Sequence, residues 1–389
     1  MEETQKKNRK RKLKIQGCVA MCFWACIGIL AIGNVLVPNK KASDSENRSL
    51  TQRPRLTVSA LQTGTFMQQY ESYLSDQFVA RDVWVNLSVS LGKLAGNREN
   101  NGIFLGKKNQ LIEDVVTPDK EALQANLDAI NTFAQTNPDI PVSMALVPTT
   151  ASIWKDKLPA LATVADQKTY IRSVQKKVGD QVAWIDAAAA LEAHRDEKIF
   201  YKTDHHWTSL GAYYVFQGCG DALGIQSSTS TSFTPYAVST SFNGVLSSES
   251  GYARNEKEEI DIYVPIGDDI EVIVNFVEEQ KKRTSIYDSS KLETKDQYGV
   301  FLGGNSPLID IKTTANSTRR LLVFKDSYAN CFLPFLTPYF REIVVVDPRY
   351  YGGTAEDLLT TYNITDTLFL YNANTFFRDN NISGVLTGE

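Results

Sequence analysis

The sequence predicts a mixed α/β protein: a mostly parallel sheet with helices on both faces, a β-rich insertion, and one transmembrane helix in front. Three observations predict it. Short apolar runs alternate with segments of helical periodicity from residue 117 to residue 370. A Ser/Thr-rich stretch, about residues 226–310, interrupts that alternation with runs such as Ile260-Asp261-Ile262-Tyr263. An uncharged apolar stretch stands behind a strongly basic N-terminus. The 389 residues are 42% hydrophobic and 10% aromatic, which excludes a disordered or collagen-like chain and suits one large or two moderate domains.

The charge distribution is uneven. Residues 1–14 carry seven Lys or Arg against Glu2 and Glu3, a balance of +5 within a total of −4, which leaves −9 downstream. An acidic remainder argues against a nucleic-acid groove. The basic residues 1–14 are a topology signal first. From Ile15 to Asn39 no residue is charged, and Gly17–Val37 gives twenty-one mostly apolar positions. Such a helix is about 30 Å long, the thickness of a bilayer core. Residues 15–38 therefore read as a signal anchor, with residues 1–14 cytoplasmic and the rest exported. A cleaved signal peptide is the alternative, but its apolar region is shorter and ends in a small-residue cleavage site, which Asn34-Val35-Leu36-Val37-Pro38 does not supply.

Cys18, Cys22 and Cys26 fall on one face of that helix and read as small packing side chains. Only Cys219 and Cys331 lie beyond it, so this is no disulfide scaffold, and a single bridge between them stays open. Residues 39–60 are polar and read as a linker, followed by a domain over 61–389. The spacing predicts two amphipathic helices within Phe66–Leu94, then a hairpin through Ile103–Leu105 and Leu111–Ile112. Thr117-Pro118 reads as a helix start. Strands are expected at Val142–Val147, Val182–Ile185, Ile199–Tyr201, Leu321–Phe324, Ile343–Val346 and Thr367–Leu370. Helices are expected near Asp166–Val178, Ala187–Glu197, Ser209–Leu223, Tyr328–Leu336 and Thr354–Tyr362.

Open α/β sheets place their sites where strands run into helices. Leu321–Phe324 runs into Lys325-Asp326-Ser327-Tyr328, so Ser327 falls at such a turn, where free helix amides could face an oxyanion. Simple N-capping by Asp326 or Ser327 is the plainer reading of those residues alone. The chain has three histidines, and two are adjacent in Lys202-Thr203-Asp204-His205-His206-Trp207. An imidazole is the natural base for a serine hydroxyl, and a carboxylate fixes its tautomer, so Asp, His and Ser supply the parts of an esterase-type triad. Two other readings stand beside it: a metal held by Asp204, His205 and His206 with His194, and two structural histidines. Trp154, Trp184, Tyr213, Tyr214 and Phe216 read as core, whereas Tyr350 and Tyr351 are candidates for stacking on a sugar.

Thr203-Asp204-His205-His206-Trp207 resembles the signature of the DHHW proteins of bacterial cell envelopes, which are similar to the SGNH-type acyltransferase domains of alginate O-acetylation proteins. Phe242-x-Gly244, Gly303-Gly304-Asn305 and Asp347-Pro348-Arg349-Tyr350 resemble further parts of that pattern, over roughly residues 70–374. The resemblance implies an SGNH hydrolase-like fold with Asp204, His206 and Ser327 as the catalytic residues. It leaves His205 as a reserve base, and Asn305, Tyr328, Asp326 and Lys325 as oxyanion or supporting groups. Lys325 stands where the usual block has glycine. Gly303-Gly304-Asn305 is either an oxyanion element or a plain turn.

The expected activity is transfer of an acyl group, acetyl in the first instance, to hydroxyls of an envelope or secreted polysaccharide, without cofactor or metal. The resemblance also implies a multispanning membrane-bound O-acyltransferase as acyl donor. An esterase with the same triad and a non-catalytic polysaccharide-binding assembly protein are the rivals.

Overall fold

The computed structural model describes residues 2–43, 48–225, 231–267 and 270–388. Residues 44–47 of the expected linker, and residues 226–230 and 268–269 of the expected insertion, lie outside the described residues. The chain forms two compact units, Met1–Gly96 and Asn97–Glu389. The helices expected within 66–94 belong to the first unit rather than to a domain starting at residue 61.

The first unit holds one long helix, Glu2–Leu36, whose Arg11–Leu36 portion contains an 18-residue stretch of mean hydropathy 2.2 and is a candidate membrane anchor. Its cysteines are free and exposed. Two amphipathic helices follow, Thr65–Asp76 and Arg81–Leu94.

In the second unit ten strands organise the fold: β1 Val142–Val147, β2 Val182–Ile185, β3 Ser232–Phe242, β4 Glu258–Ile266, β5 Val272–Phe276, β6 Lys281–Arg283, β7 Leu308–Thr313, β8 Arg320–Lys325, β9 Glu342–Val346 and β10 Asp366–Asn372. Eight of them make one sheet in the order β6-β5-β7-β9-β8-β10-β1-β2. The five from β9 to β2 are parallel, and β7, β5 and β6 extend the sheet as an antiparallel edge.

Parallel strands need apolar residues on both faces, and β8 supplies them: Leu321 and Val323 join one core, Leu322 and Phe324 the other. Helices Lys120–Thr136 and Ala355–Tyr362 cover the second face, and Ser209–Gln217 packs in the first.

Several expectations need correction. The β-rich insertion reduces to the β3–β4 pair, because β5, β6 and β7 complete the main sheet; buried Val274 of β5 pairs with buried Ile311 of β7. Ile199–Tyr201 is not a strand: only a single bridge, Phe200 to Trp207, closes that turn. The helix expected at Tyr328–Leu336 is two short 3-10 segments, Ser327–Cys331 and Leu333–Leu336, the second carrying Pro334 in its first turn. Thr117 is no cap; the Asp119 carboxylate accepts from the amides of Glu121 and Ala122. Cys219 and Cys331 are buried free thiols, so the bridge left open by the sequence is not formed.

Candidate active site

Two chain segments far apart in sequence meet beyond the carboxyl ends of the parallel strands. Strand β8 ends at Lys325, and Asp326 then caps the next turn. Its carboxylate accepts from the Tyr328 amide at 3.0 Å and from the Asn372 amide, at the end of β10, at 3.0 Å. That double tie sets Ser327 at the first helical position, where a backbone N–H has no intrahelical acceptor. Burial pushes the Asp326 carboxyl above its ordinary value. The capping reading is therefore correct for Asp326, and it leaves the Ser327 hydroxyl available.

The second segment is the Thr203–Trp207 turn. Glu258 of β4, buried, accepts from the amides of Lys202 and Thr203 at 2.6 and 2.8 Å and from the Thr203 hydroxyl at 2.6 Å. The Thr203 hydroxyl in turn accepts from the Gly244 amide at 2.9 Å. Trp207, fully buried, donates from Nε1 to the Tyr328 carbonyl at 2.8 Å and stacks on Phe332. These contacts join the two segments directly.

The resulting geometry is a continuous relay. Asp204 Oδ1 lies 2.6 Å from His206 Nδ1, and His206 Nε2 lies 2.8 Å from Ser327 Oγ. Asp204 also accepts from the His206 amide at 3.0 Å, and its Oδ2 from the Val245 amide at 3.1 Å. Burial acts to raise the Asp204 carboxyl, but the adjacent imidazoles and these hydrogen bonds outweigh it and hold the group well below the usual carboxylate range. The His206 ring stacks on Tyr298 with centroids 3.7 Å apart, and the Tyr298 hydroxyl donates to the Ser327 carbonyl at 3.2 Å. Burial keeps that phenol far above its ordinary pKa.

His205 sits one ring away, with Nδ1 at 3.8 Å from Asp204 Oδ1 and its ring centroid 3.9 Å from that of His206. Desolvation and the neighbouring imidazole lower its pKa. Its carbonyl accepts from the Tyr328 hydroxyl, which makes Tyr328 a brace for the histidine turn.

Lys325 is fully buried. Its ammonium donates to Asn305 Oδ1 at 2.7 Å and lies 3.8 Å from Asp347, which Arg349 grips through two hydrogen bonds of 2.8 and 2.6 Å. Burial lowers the Lys325 pKa to about 8. Asn330 also donates to Asn305 Oδ1, at 3.3 Å, so the carboxamide oxygen is held and the Nδ2 end is left to donate elsewhere.

Asp204, His205 and His206 place possible ligand atoms within 4.8 Å of one another. Both ring nitrogens of His206 are already engaged, and His194 stacks on Tyr214 and bonds Glu197 at 2.8 Å, outside that group. Tyr350 is exposed beside Arg349, while Tyr351 packs on the core. A polar cleft of about 380 Å³ opens beside His205, between Val245, Asn372 and Arg349. Sequence reasoning missed Glu258 and Tyr298. No motif marks either, and only the folding of β4 and of the 297–300 turn against the histidine segment brings them in.

A family model described as DHHW protein matches residues 124–346. In structure the chain is similar to a DHHW family protein from Eubacterium siraeum, at 25% identity and a TM-score of 0.63, over 75% of this chain and 96% of that one. It is also similar to Bacillus cereus PatB1. With a sulfonyl adduct the likeness is 22% identity and TM-score 0.60 over 73% of this chain and 99% of that one. Without the adduct it is 21% and 0.59 over 74% and 100%. Comparison with curated protein sequences gives no match.

Proposed function

The chain belongs to the DHHW protein family, and from that premise we propose that it is a membrane-anchored, extracytoplasmic O-acyltransferase that acetylates hydroxyls of an envelope or secreted polysaccharide. The observation that carries the reading is the unbroken relay from Asp204 through His206 to Ser327, at 2.6 and 2.8 Å. Ser327 Oγ attacks the donor's carbonyl carbon while His206 Nε2 takes the hydroxyl proton. Asp204 holds the imidazole in the tautomer that accepts at Nε2 and stabilises the imidazolium.

The tetrahedral oxyanion is assigned the Ser327 amide at the first helical position as one donor and the Asn305 Nδ2 group as the second. Its collapse expels the leaving group, which takes the proton from His206, and leaves an acyl-serine. A sugar hydroxyl then gives its proton to His206 and attacks the acyl carbon. Ser327 leaves, recovers the proton, and the acetylated sugar is released. Positioning of the acceptor can be worth an effective concentration on the order of 10⁵ M, which lets a bound hydroxyl outcompete water.

The acidic part beyond the anchor favours a neutral or weakly charged glycan. The basic N-terminus supports a cytoplasmic start and an exported domain. The acyl donor is then a partner that carries acyl groups across the membrane, a multispanning O-acyltransferase by resemblance.

The test uses the full-length protein with an activated acetyl ester, with and without neutral and anionic oligosaccharides, read by mass spectrometry. Acetylation on Ser327, lost in Ser327→Ala, and acetylated sugar are expected. Free acetate with no sugar ever acetylated overturns transfer in favour of hydrolysis. Absence of an acyl-serine overturns the triad.

A further inference from the structure

The first unit carries an apolar surface that the chemistry above does not use. In Arg81–Leu94, Val83, Trp84, Leu87, Leu91 and Leu94 are all exposed, between 44% and 85%. At about 100° per residue they fall within roughly 100° of arc, so they form one continuous stripe. Asn86, Ser90 and Lys93 border one edge of that stripe, and the half-buried Val85, Val89 and Gly92 lie opposite it. The preceding helix, Thr65–Asp76, exposes Met67 and Leu74 one heptad apart, and Phe78 follows it. Soluble proteins rarely leave an apolar stripe of this kind open to water.

What covers it follows from where the helix begins. The Val79 amide donates to Asn34 Oδ1 at 2.7 Å, and Asn34 lies in the last turn of the apolar Arg11–Leu36 span. Gly33 faces the Val79 side chain, with room for no more than a tight contact at 3.3 Å if it carried a Cβ. Gln77 both accepts from the Lys40 amide and donates to the Lys40 carbonyl at 2.9 Å, and Tyr73 donates to Asn39 Oδ1 at 3.3 Å. Lys40 Nζ also stands 3.9 Å from Asp82. Residues 73–82 are thus stapled to residues 33–40, the end of the candidate anchor. With the anchor in a bilayer, Arg81–Leu94 starts at the level of the lipid headgroups. A helix with an exposed apolar stripe bordered by polar residues and carrying an aromatic one, starting at that depth, has the pattern of an interfacial helix.

We propose that Arg81–Leu94 lies in the outer headgroup layer of the bilayer with Val83, Trp84, Leu87, Leu91 and Leu94 buried among lipid. The helix makes this unit a second, surface-lying membrane contact beside the spanning one. This inference shares the anchor with the functional reading above but needs none of its chemistry.

The test places the full-length protein in vesicles whose lipids carry bromine near the headgroup end of the acyl chains, which quenches tryptophan at that depth. Trp24 lies in the anchor, so Trp24→Phe is the parent and Trp24→Phe/Trp84→Phe the baseline. The expected result is quenching in the parent that is lost in the baseline, together with poor access of aqueous acrylamide to Trp84. Leu87→Glu/Leu91→Glu, built on the parent, should lower the lipid quenching and raise the acrylamide access without altering Ser327 acylation. Equal lipid quenching in parent and baseline, with Trp84 open to acrylamide, overturns the proposal and leaves the stripe to a protein partner. Failure of the protein to enter vesicles at all refutes the anchor itself, and acyl-serine formation tests the chemistry independently of both.

Discussion

Gly244→Ala is the substitution that most directly tests how the triad is held. Gly244 has φ −80°, which any residue adopts, so backbone strain is not the reason for glycine here. The reason is space. A Cβ at 244 would lie 2.3 Å from Asp204 Cβ and 2.4 Å from its Oδ2, where 3.4 Å is an ordinary contact. Asp204 must then retreat by about 1 Å, which stretches its 2.6 Å bond to His206 beyond hydrogen-bonding range and also disturbs the 3.1 Å bond from Val245. A displacement of about that size costs roughly 10²-fold in rate, while the overpacking costs about 1–3 kcal/mol of stability. The assay is the acylation rate of Ser327 by an activated ester in rapid-mixing experiments, with urea unfolding of the same samples. Acylation slowed about 100-fold in a folded protein is expected. A variant within a few-fold of wild type would show that the Asp204–His206 contact is not what sets the rate.

Three further outcomes follow from the same geometry. For Lys325, the folded pKa of about 8 lies below the ordinary 10.5, so between those values the unfolded chain binds more protons and stability rises with pH. The charged form therefore costs roughly 3 kcal/mol at neutral pH; Lys325→Met should unfold at higher urea than wild type at pH 7, converge with it near pH 10, and lose acylation rate. Lower stability at pH 7 overturns the desolvation argument. His206→Ala should remove nearly all acyl-serine formation and His205→Ala much less, because only His206 reaches Ser327 Oγ; the reverse order in the acylation assay refutes His206 as base. Glu258→Gln replaces one of two accepting oxygens by a donor facing backbone N–H groups. It should cost about 1–3 kcal/mol in urea unfolding and slow acylation, and an unchanged midpoint would refute its clamping role.

The fold was legible where the period of the pattern decides it. Val142–Val147 and Val182–Ile185 coincide with the observed strands, because an apolar run too short for a helix has few alternatives, whether buried throughout like the first or at the sheet edge like the second. Strand β7 was not legible: Leu308-Ile309-Asp310-Ile311-Lys312-Thr313 looks like the alternating insertion before it, and only its pairing with β9 assigns it to the main sheet. Ile199–Tyr201 failed for the opposite reason. Its apolar side chains are core residues of a turn, fully buried without being paired as a strand.

At the site, residue type pointed to an Asp-His-Ser set, since a nucleophile, a base and an orienting carboxylate are scarce enough to be noticed, and the family resemblance singled out Asp204, His206 and Ser327 within it. Their support could not be read the same way. Glu258, Tyr298 and the Val245 amide act through position, and position here is set by long-range closure: the β3–β4 pair delivers Glu258 to Thr203, and the turn at 297–300 lays Tyr298 on His206. Gly244 shows how the two levels connect. Its glycine is visible in the sequence, but the requirement behind it exists only once the 203–207 turn has folded against it. A sequence therefore advertises reacting groups by their chemistry. The groups that hold them appear only when the packing that needs them is known, and at this site those groups fix the 2.6 and 2.8 Å contacts on which the relay depends.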